Sequence, residues 1–224
     1  MTNRIRYSSG SGRSVEGELA VPVGDGAAPG LVLIQEWWGV NDNIRAYADR
    51  YASEGFLTLA VDLYDGSVAL NADEASHRMD GLDWNRALDH IEGALAFLRA
   101  HSRSNGRVGV TGFCMGGALT LAAANQLRGI QAAVPFYGIP GAFDASAVEA
   151  PILGHFSSSD TWATPEKIQA IEASLRGFER DVRIVYYEAD HAFMNMSRPE
   201  VYNASCAANA WAETVSFLRQ HLSA

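Results

Sequence analysis

Three side chains able to do covalent and proton-transfer chemistry stand out: Cys114, Asp160 and His191. Cys114 lies in Gly112-Phe113-Cys114-Met115-Gly116-Gly117, a G-x-C-x-G pattern. A β-rich run over 107–112 leads into it and a helix-forming run over 118–125 leads out. Glycines two before and two after the cysteine let strand and helix crowd together at a sharp turn that presents a nucleophile. A thiol at that tip sits at the positive end of the following helix, which favours the thiolate. Such a nucleophile needs a base, and the base needs an acid to orient it. His191 lies four residues past a strand expected over 182–187, and Asp160 lies just past another expected over 152–157. The chain order is nucleophile, acid, histidine, with room for about one strand–helix unit in each gap. Asp190 and Glu188 are rival acids. Asp160 is favoured because it follows its own strand end, whereas Asp190, next to His191 in sequence, is poorly placed to reach the ring. Glu36 follows the run Leu31-Val32-Leu33-Ile34-Gln35 and makes a fourth reactive group.

The surrounding pattern supplies elements to hold these groups. Strands are expected over 3–8 and 13–21, joined by a Ser/Gly turn, then over 31–35, 56–61, 107–112, 132–137, 152–157 and 182–187. Helices are expected from Asn41 or Asp42 to about Glu54, over 83–100, after Cys114, after Pro165 and over 203–221. The stretch 62–82 reads as polar and irregular. Strands alternating with helices predict an α/β fold, a mostly parallel twisted sheet with helices on both faces. No repeat or linker divides the chain, so 1–224 reads as one domain. In such sheets ligands gather at the carboxyl ends of strands. Cys114, Asp160, His191 and Glu36 all fall just after a strand.

Composition narrows the partners. A net charge of −9 argues against nucleic-acid binding, which needs clustered Lys and Arg. No apolar run approaches the ~18 residues of a membrane helix, and the N-terminus lacks a signal-peptide core. Two cysteines, Cys114 and Cys206, and no export signal make a disulfide unexpected and a cytoplasmic location the default. No close-spaced ligand pair, phosphate cradle or dinucleotide fingerprint occurs, so neither metal nor other cofactor is expected. The sequence leaves monomer and homodimer open.

The motifs Gln35-Glu36-Trp37-Trp38-Gly39-Val40, Asp62-Leu63-Tyr64, Gly112–Gly117 and Asp190-His191-Ala192-Phe193 are spread in order over most of the chain. In them the sequence resembles the dienelactone hydrolase (carboxymethylenebutenolidase) family of the α/β-hydrolase superfamily. The resemblance implies Cys114 as nucleophile, His191 as base and Asp160 as its partner. It sets Glu36 against the thiol as acceptor of its proton, and it implies hydrolysis of a lactone or small ester through an acyl-cysteine. On physical grounds the tetrahedral oxyanion needs donors, expected from the backbone N–H groups of Met115 and Trp37.

The sequence departs from the family at its substrate-carboxylate clamp. Asn195 stands where one arginine is expected, four residues after the histidine; Arg78 is offered for the other, and Arg198 is a possible substitute. Trp37, Trp38, Trp162, Phe113 and Phe193 flank the motifs and imply an apolar, aromatic pocket suited to a neutral ester or lactone. Alternatives are the same triad acting on a thioester, activated amide or phosphotriester, or a non-catalytic binding protein that kept the fold.

Overall fold

The computed structural model describes residues 1–223. Its eight strands are β1 (Asn3–Ser8), β2 (Ser14–Ala20), β3 (Ala28–Ile34), β4 (Leu57–Val61), β5 (Ser104–Phe113), β6 (Ala133–Phe136), β7 (Ile152–Ser157) and β8 (Val182–Tyr187). Six α-helices alternate with them: α1 (Asp42–Ser53), α2 (Ala72–Asp80), α3 (Trp84–Ala100), α4 (Met115–Gln126), α5 (Pro165–Gly177) and α6 (Ala204–Leu222). The strands form one sheet in the order β1-β2-β4-β3-β5-β6-β7-β8. The β1–β2 and β2–β4 pairs are antiparallel and every other pair is parallel.

Both faces of the central strands are buried, which is why β3 and β4 read as unbroken apolar runs. Side chains alternate across the sheet. Val32 and Ile34 join the core under α3, α4 and α5, while Leu31 and Leu33 join the core under α1 and α6. Helix α4 is buried from Met115 to Ala124, as its near-continuous apolar sequence requires.

Chain order along the sheet reverses at β3, which has β4 on one side and β5 on the other. The crevice between β3 and β5 is therefore a switch point where ligands settle. Ile34 pairs with Gly112 there, so the loops carrying Glu36 and Cys114 emerge side by side.

The main departure from expectation is α2, which forms inside the stretch read as irregular. Asn71 caps it, its side chain accepting from the Glu74 N–H at 2.9 Å. Its sequence, ADEASHRMD, buries only Ala75 and so carries no apolar period to read. Strand β5 also starts earlier than expected, at Ser104 rather than Arg107, across a register shift opposite Ala28 and Gly30. Among the described residues no helix is long and apolar enough to cross a membrane.

Candidate active site

Cys114 joins β5 to α4 with φ 55° and ψ −116°. A left-handed backbone at a non-glycine residue costs about 1–3 kcal/mol and persists only where the surroundings enforce it. Here the Cys114 N–H donates to the Phe136 carbonyl at 3.0 Å, pinning the turn to β6. Close backbone approach does the rest. A Cβ on Gly116 would run into the carbonyls of Ile34 and Gln35, and one on Gly138 into the carbonyl of Cys114 itself. The thiol is thus carried on the turn at the N-terminus of α4.

Asp160 and His191 come from the loops after β7 and β8. Two serine hydroxyls tie these loops together: Ser157 and Ser159 both donate to the Ala189 carbonyl, the latter at 3.1 Å. Across this brace Asp160 Oδ2 meets His191 Nδ1 at 2.6 Å. The other carboxylate oxygen, Oδ1, accepts the backbone N–H groups of Trp162 at 2.8 Å and Ala163 at 3.1 Å. Burial by itself would raise the Asp160 carboxyl. The His191 hydrogen bond and charge, with the two N–H bonds, outweigh it and hold the group below its usual range. Burial likewise opposes the charge on His191, but the bonds to Asp160 and to the Cys114 thiol win and push its pKa up to about 10. Asp190 and Glu188 are exposed and have no part in this contact.

Glu36 is 2% exposed. Its Oε2 accepts from Asn195 Nδ2 at 2.5 Å and its Oε1 from the Tyr137 hydroxyl at 3.3 Å. Burial raises this carboxyl, partly offset by the His191 charge and the two hydrogen bonds. It lines the same small hollow as Cys114 and His191, and both of its oxygens are engaged by Asn195 and Tyr137. Glu36 and Cys114 thus share one hollow, as the sequence leads one to expect.

Tyr137 is the residue that sequence reading missed. It ends β6 with φ 37°, lies fully buried, and sets its ring 5.1 Å from that of His191. Its only sequence signal is its position one residue past a strand end. Met115 and Trp37 each line a hollow that also contains Cys114, and among the described residues no protein group accepts from the N–H of either.

A family model for the dienelactone hydrolase family matches residues 15–222. The chain belongs to that family. The protein Usf of Aquifex pyrophilus is 35% identical over 95% of this chain and 96% of its own. An Aquifex aeolicus protein named as a candidate carboxymethylenebutenolidase is 30% identical over the same shares. A crystal structure of a candidate dienelactone hydrolase from Klebsiella pneumoniae superposes with a TM-score of 0.86, at 25% identity, over 97% of this chain and 99% of that one. The fold is accordingly that of an α/β hydrolase.

For a dienelactone hydrolase family member, the residues expected to touch substrate are placed unevenly. Trp37 and Trp38 pack edge to face at 5.2 Å, and Trp162 meets Trp37 at 6.0 Å and His191 at 6.1 Å. All three line the hollow at the thiol. Phe113 and Phe193 do not. Phe113 packs on Tyr47 and Phe136, and Phe193 on Tyr187 and Tyr137, both fully inside the core under α1 and α6. Each alternates inward from its backbone, so nearness in sequence to Cys114 or His191 does not bring it to the pocket. Asn195 is also buried, and its amide is spent on Glu36 rather than facing substrate. Arg78 pairs with Glu74 at 2.7 Å and faces a neighbouring groove whose walls include neither Cys114 nor His191. Arg198 does reach the thiol hollow, half-buried, with its guanidinium 5.9 Å from the Trp38 ring and paired to Glu200 at 2.8 Å. Among the described residues no group of three or more His, Cys, Asp or Glu could hold a metal ion.

Proposed function

We propose that the protein hydrolyses a lactone or small carboxylic ester through an acyl-cysteine, with Cys114 as nucleophile, His191 as general base and acid, and Asp160 as the group that orients His191. Family membership supports hydrolysis of an ester or lactone. The observation that carries the assignment of roles is the 2.6 Å Asp160–His191 contact, with His191 lining both hollows at the Cys114 thiol, which stands on a positive-φ elbow.

The steps follow from this geometry. His191 takes the thiol proton, and the thiolate sulfur attacks the carbonyl carbon. The C=O π pair moves onto oxygen, where the N–H groups of Met115 and Trp37 receive it. Losing one such donor typically costs about 3 kcal/mol of barrier. As the carbonyl re-forms, the bond to the leaving alkoxide breaks and the alkoxide takes the proton from His191. Water then gives a proton to His191 and attacks the thioester carbon; as the tetrahedral species collapses the C–S bond breaks, and the departing sulfur takes the proton back from His191, which restores the thiol. The balance is ester plus water to acid plus alcohol. Asp160 keeps Nδ1 protonated throughout, so Nε2 is the atom that exchanges protons with the thiol, leaving group and water. Glu36 acts as a positioning residue: it fixes Tyr137, which walls His191, and Asn195 beneath the site.

Mass spectrometry of protein quenched during turnover of a chromogenic ester tests this reading. The expected result is an acyl adduct on Cys114 and loss of turnover in Cys114→Ala. Full esterase activity in Cys114→Ala would overturn it.

A further inference from the structure

Two hollows meet at the thiol, sharing Cys114, Trp162 and His191. The smaller, about 40 Å³, lies by Glu36, Trp37 and Trp38 with Arg198 on its wall. It holds little more than one water-sized group, since a water occupies about 30 Å³ in the liquid. That suits the carbonyl oxygen beside the Trp37 N–H. The larger, about 170 Å³, opens the other way, between Met79, Trp84, Met115, Ala118 and Ile139.

Charge separates the two hollows. Apart from His191, no titratable cation or carboxylate lines the larger one. The Tyr137 hydroxyl on its wall is turned into Glu36. Arg78 stands next to Met79 in the chain, but its guanidinium is held by Glu74 and over the Tyr64 ring in the neighbouring groove. Arg198 reaches only the smaller hollow.

We propose that the larger hollow is a specificity pocket for one uncharged, apolar arm of the substrate, of about six non-hydrogen atoms, with Met79, Trp84 and Ile139 setting its length and charge. The assignment rests on the ester-hydrolase reading above. The size follows from the volume, five to six times the roughly 30 Å³ share of a water. The charge selection follows from solvation. A carboxylate carried into this hollow loses its water and meets no cation but His191, whose charge is already matched by Asp160, the costly way to bury a charge. A methylene carried in leaves water for Met, Trp, Ala and Ile side chains, a gain of about fourfold in binding per group.

Two ester series test the proposal: methyl esters of straight-chain acids from acetate to decanoate, and acetates of straight-chain alcohols over the same range. In the series whose variable arm enters the pocket, kcat/KM rises about fourfold per methylene until the arm holds about six non-hydrogen atoms, then levels or falls. A carboxylate at the end of that arm lowers kcat/KM at least a hundredfold. Trp84→Ala, at the half-exposed first turn of α3, moves the break to longer arms. Ile139→Arg brings the carboxylate-bearing ester to within tenfold of its neutral match. Absence of any length dependence in both series, or a carboxylate tolerated within tenfold by the wild type, overturns the proposal. Turnover with a normal length dependence but no acyl-Cys114 adduct would instead overturn the nucleophile assignment and leave the pocket standing. No turnover of any ester would overturn both.

Discussion

Replacing Asp160 by asparagine removes one charge and almost no volume, and the structure dictates how the new amide must sit. Oδ1 accepts two backbone N–H groups, from Trp162 and Ala163. An amide NH2 cannot take that place, so the asparagine carbonyl must stay there. Its NH2 group then occupies the position of Oδ2, 2.6 Å from His191 Nδ1. Facing a donor, Nδ1 has to become the acceptor, and the ring proton moves to Nε2. That is the nitrogen needed to take the thiol proton, and it now carries one already. A wrong tautomer of this kind costs about 10⁴ in kcat, on the order of 5 kcal/mol of barrier. Stopped-flow acylation with a short chromogenic ester should therefore slow by three to four orders of magnitude, with the melting temperature shifted by only a few degrees. Alkylation of Cys114 by iodoacetamide at neutral pH should slow in parallel, because the imidazolium partner of the thiolate is lost. Acylation within tenfold of the wild type would refute the reasoning, since Asp160 would then not be setting the tautomer.

Other perturbations probe the supports of the site. The raised pKa of His191 stabilises the fold fully below its ordinary value of 6.5, and that contribution is lost progressively as the pH rises through about 10. The lowered Asp160 contributes above its ordinary 3.8 and is lost as the pH falls through its folded value. Thermal melts should show a plateau between these limits and decline toward pH 10 by an amount on the order of a few kcal/mol, and His191→Gln should flatten the alkaline decline. Asn195→Ala removes the amide that holds Glu36 and should cost about 2 kcal/mol in urea unfolding, the range for a hydrogen bond to a charged group; an unchanged midpoint would show that Glu36 does not depend on it. Gly116→Ala forces a methyl into the carbonyls of Ile34 and Gln35 and should destabilise by about 1–3 kcal/mol while lowering kcat, read by calorimetry and ester turnover.

Sequence reading recovered what is written in local pattern. The strands before Glu36, Cys114, Asp160 and His191 are rich in β-branched and other apolar residues, and the turn glycines mark the elbow, so the strand-end rim that carries these four groups was legible in the sequence. Asp160 could be preferred over Asp190 on strand-end logic, and the hydrogen bond at 2.6 Å agrees. What stayed hidden depends on tertiary direction. Phe113 and Phe193 adjoin catalytic residues in sequence but point into the core. Asn195 stands at an arginine position, yet its burial and its bond to Glu36 are properties of packing, not of spacing. Helix α2 buries one residue, so its amphipathic signal was too weak to separate from a loop. Tyr137 carries no motif and becomes meaningful only once Glu36 and His191 converge on it.

The weak seating of α2 has a consequence for how such a protein changes over time. Cys114, Asp160, His191 and Glu36 follow the ends of β5, β7, β8 and β3, and each is held by contacts outside α2. Met79 closes the last turn of α2 and Trp84 opens α3, so a single short excursion of the chain shapes the larger hollow without contributing to the chemistry. Substitutions, insertions or a wholesale graft between Asn71 and Trp84 can be sampled without unseating Cys114, Asp160, His191 or Glu36. Selection can therefore retune what the protein accepts while the machinery that cleaves it is inherited intact, and a library confined to these positions is the economical route to a new substrate.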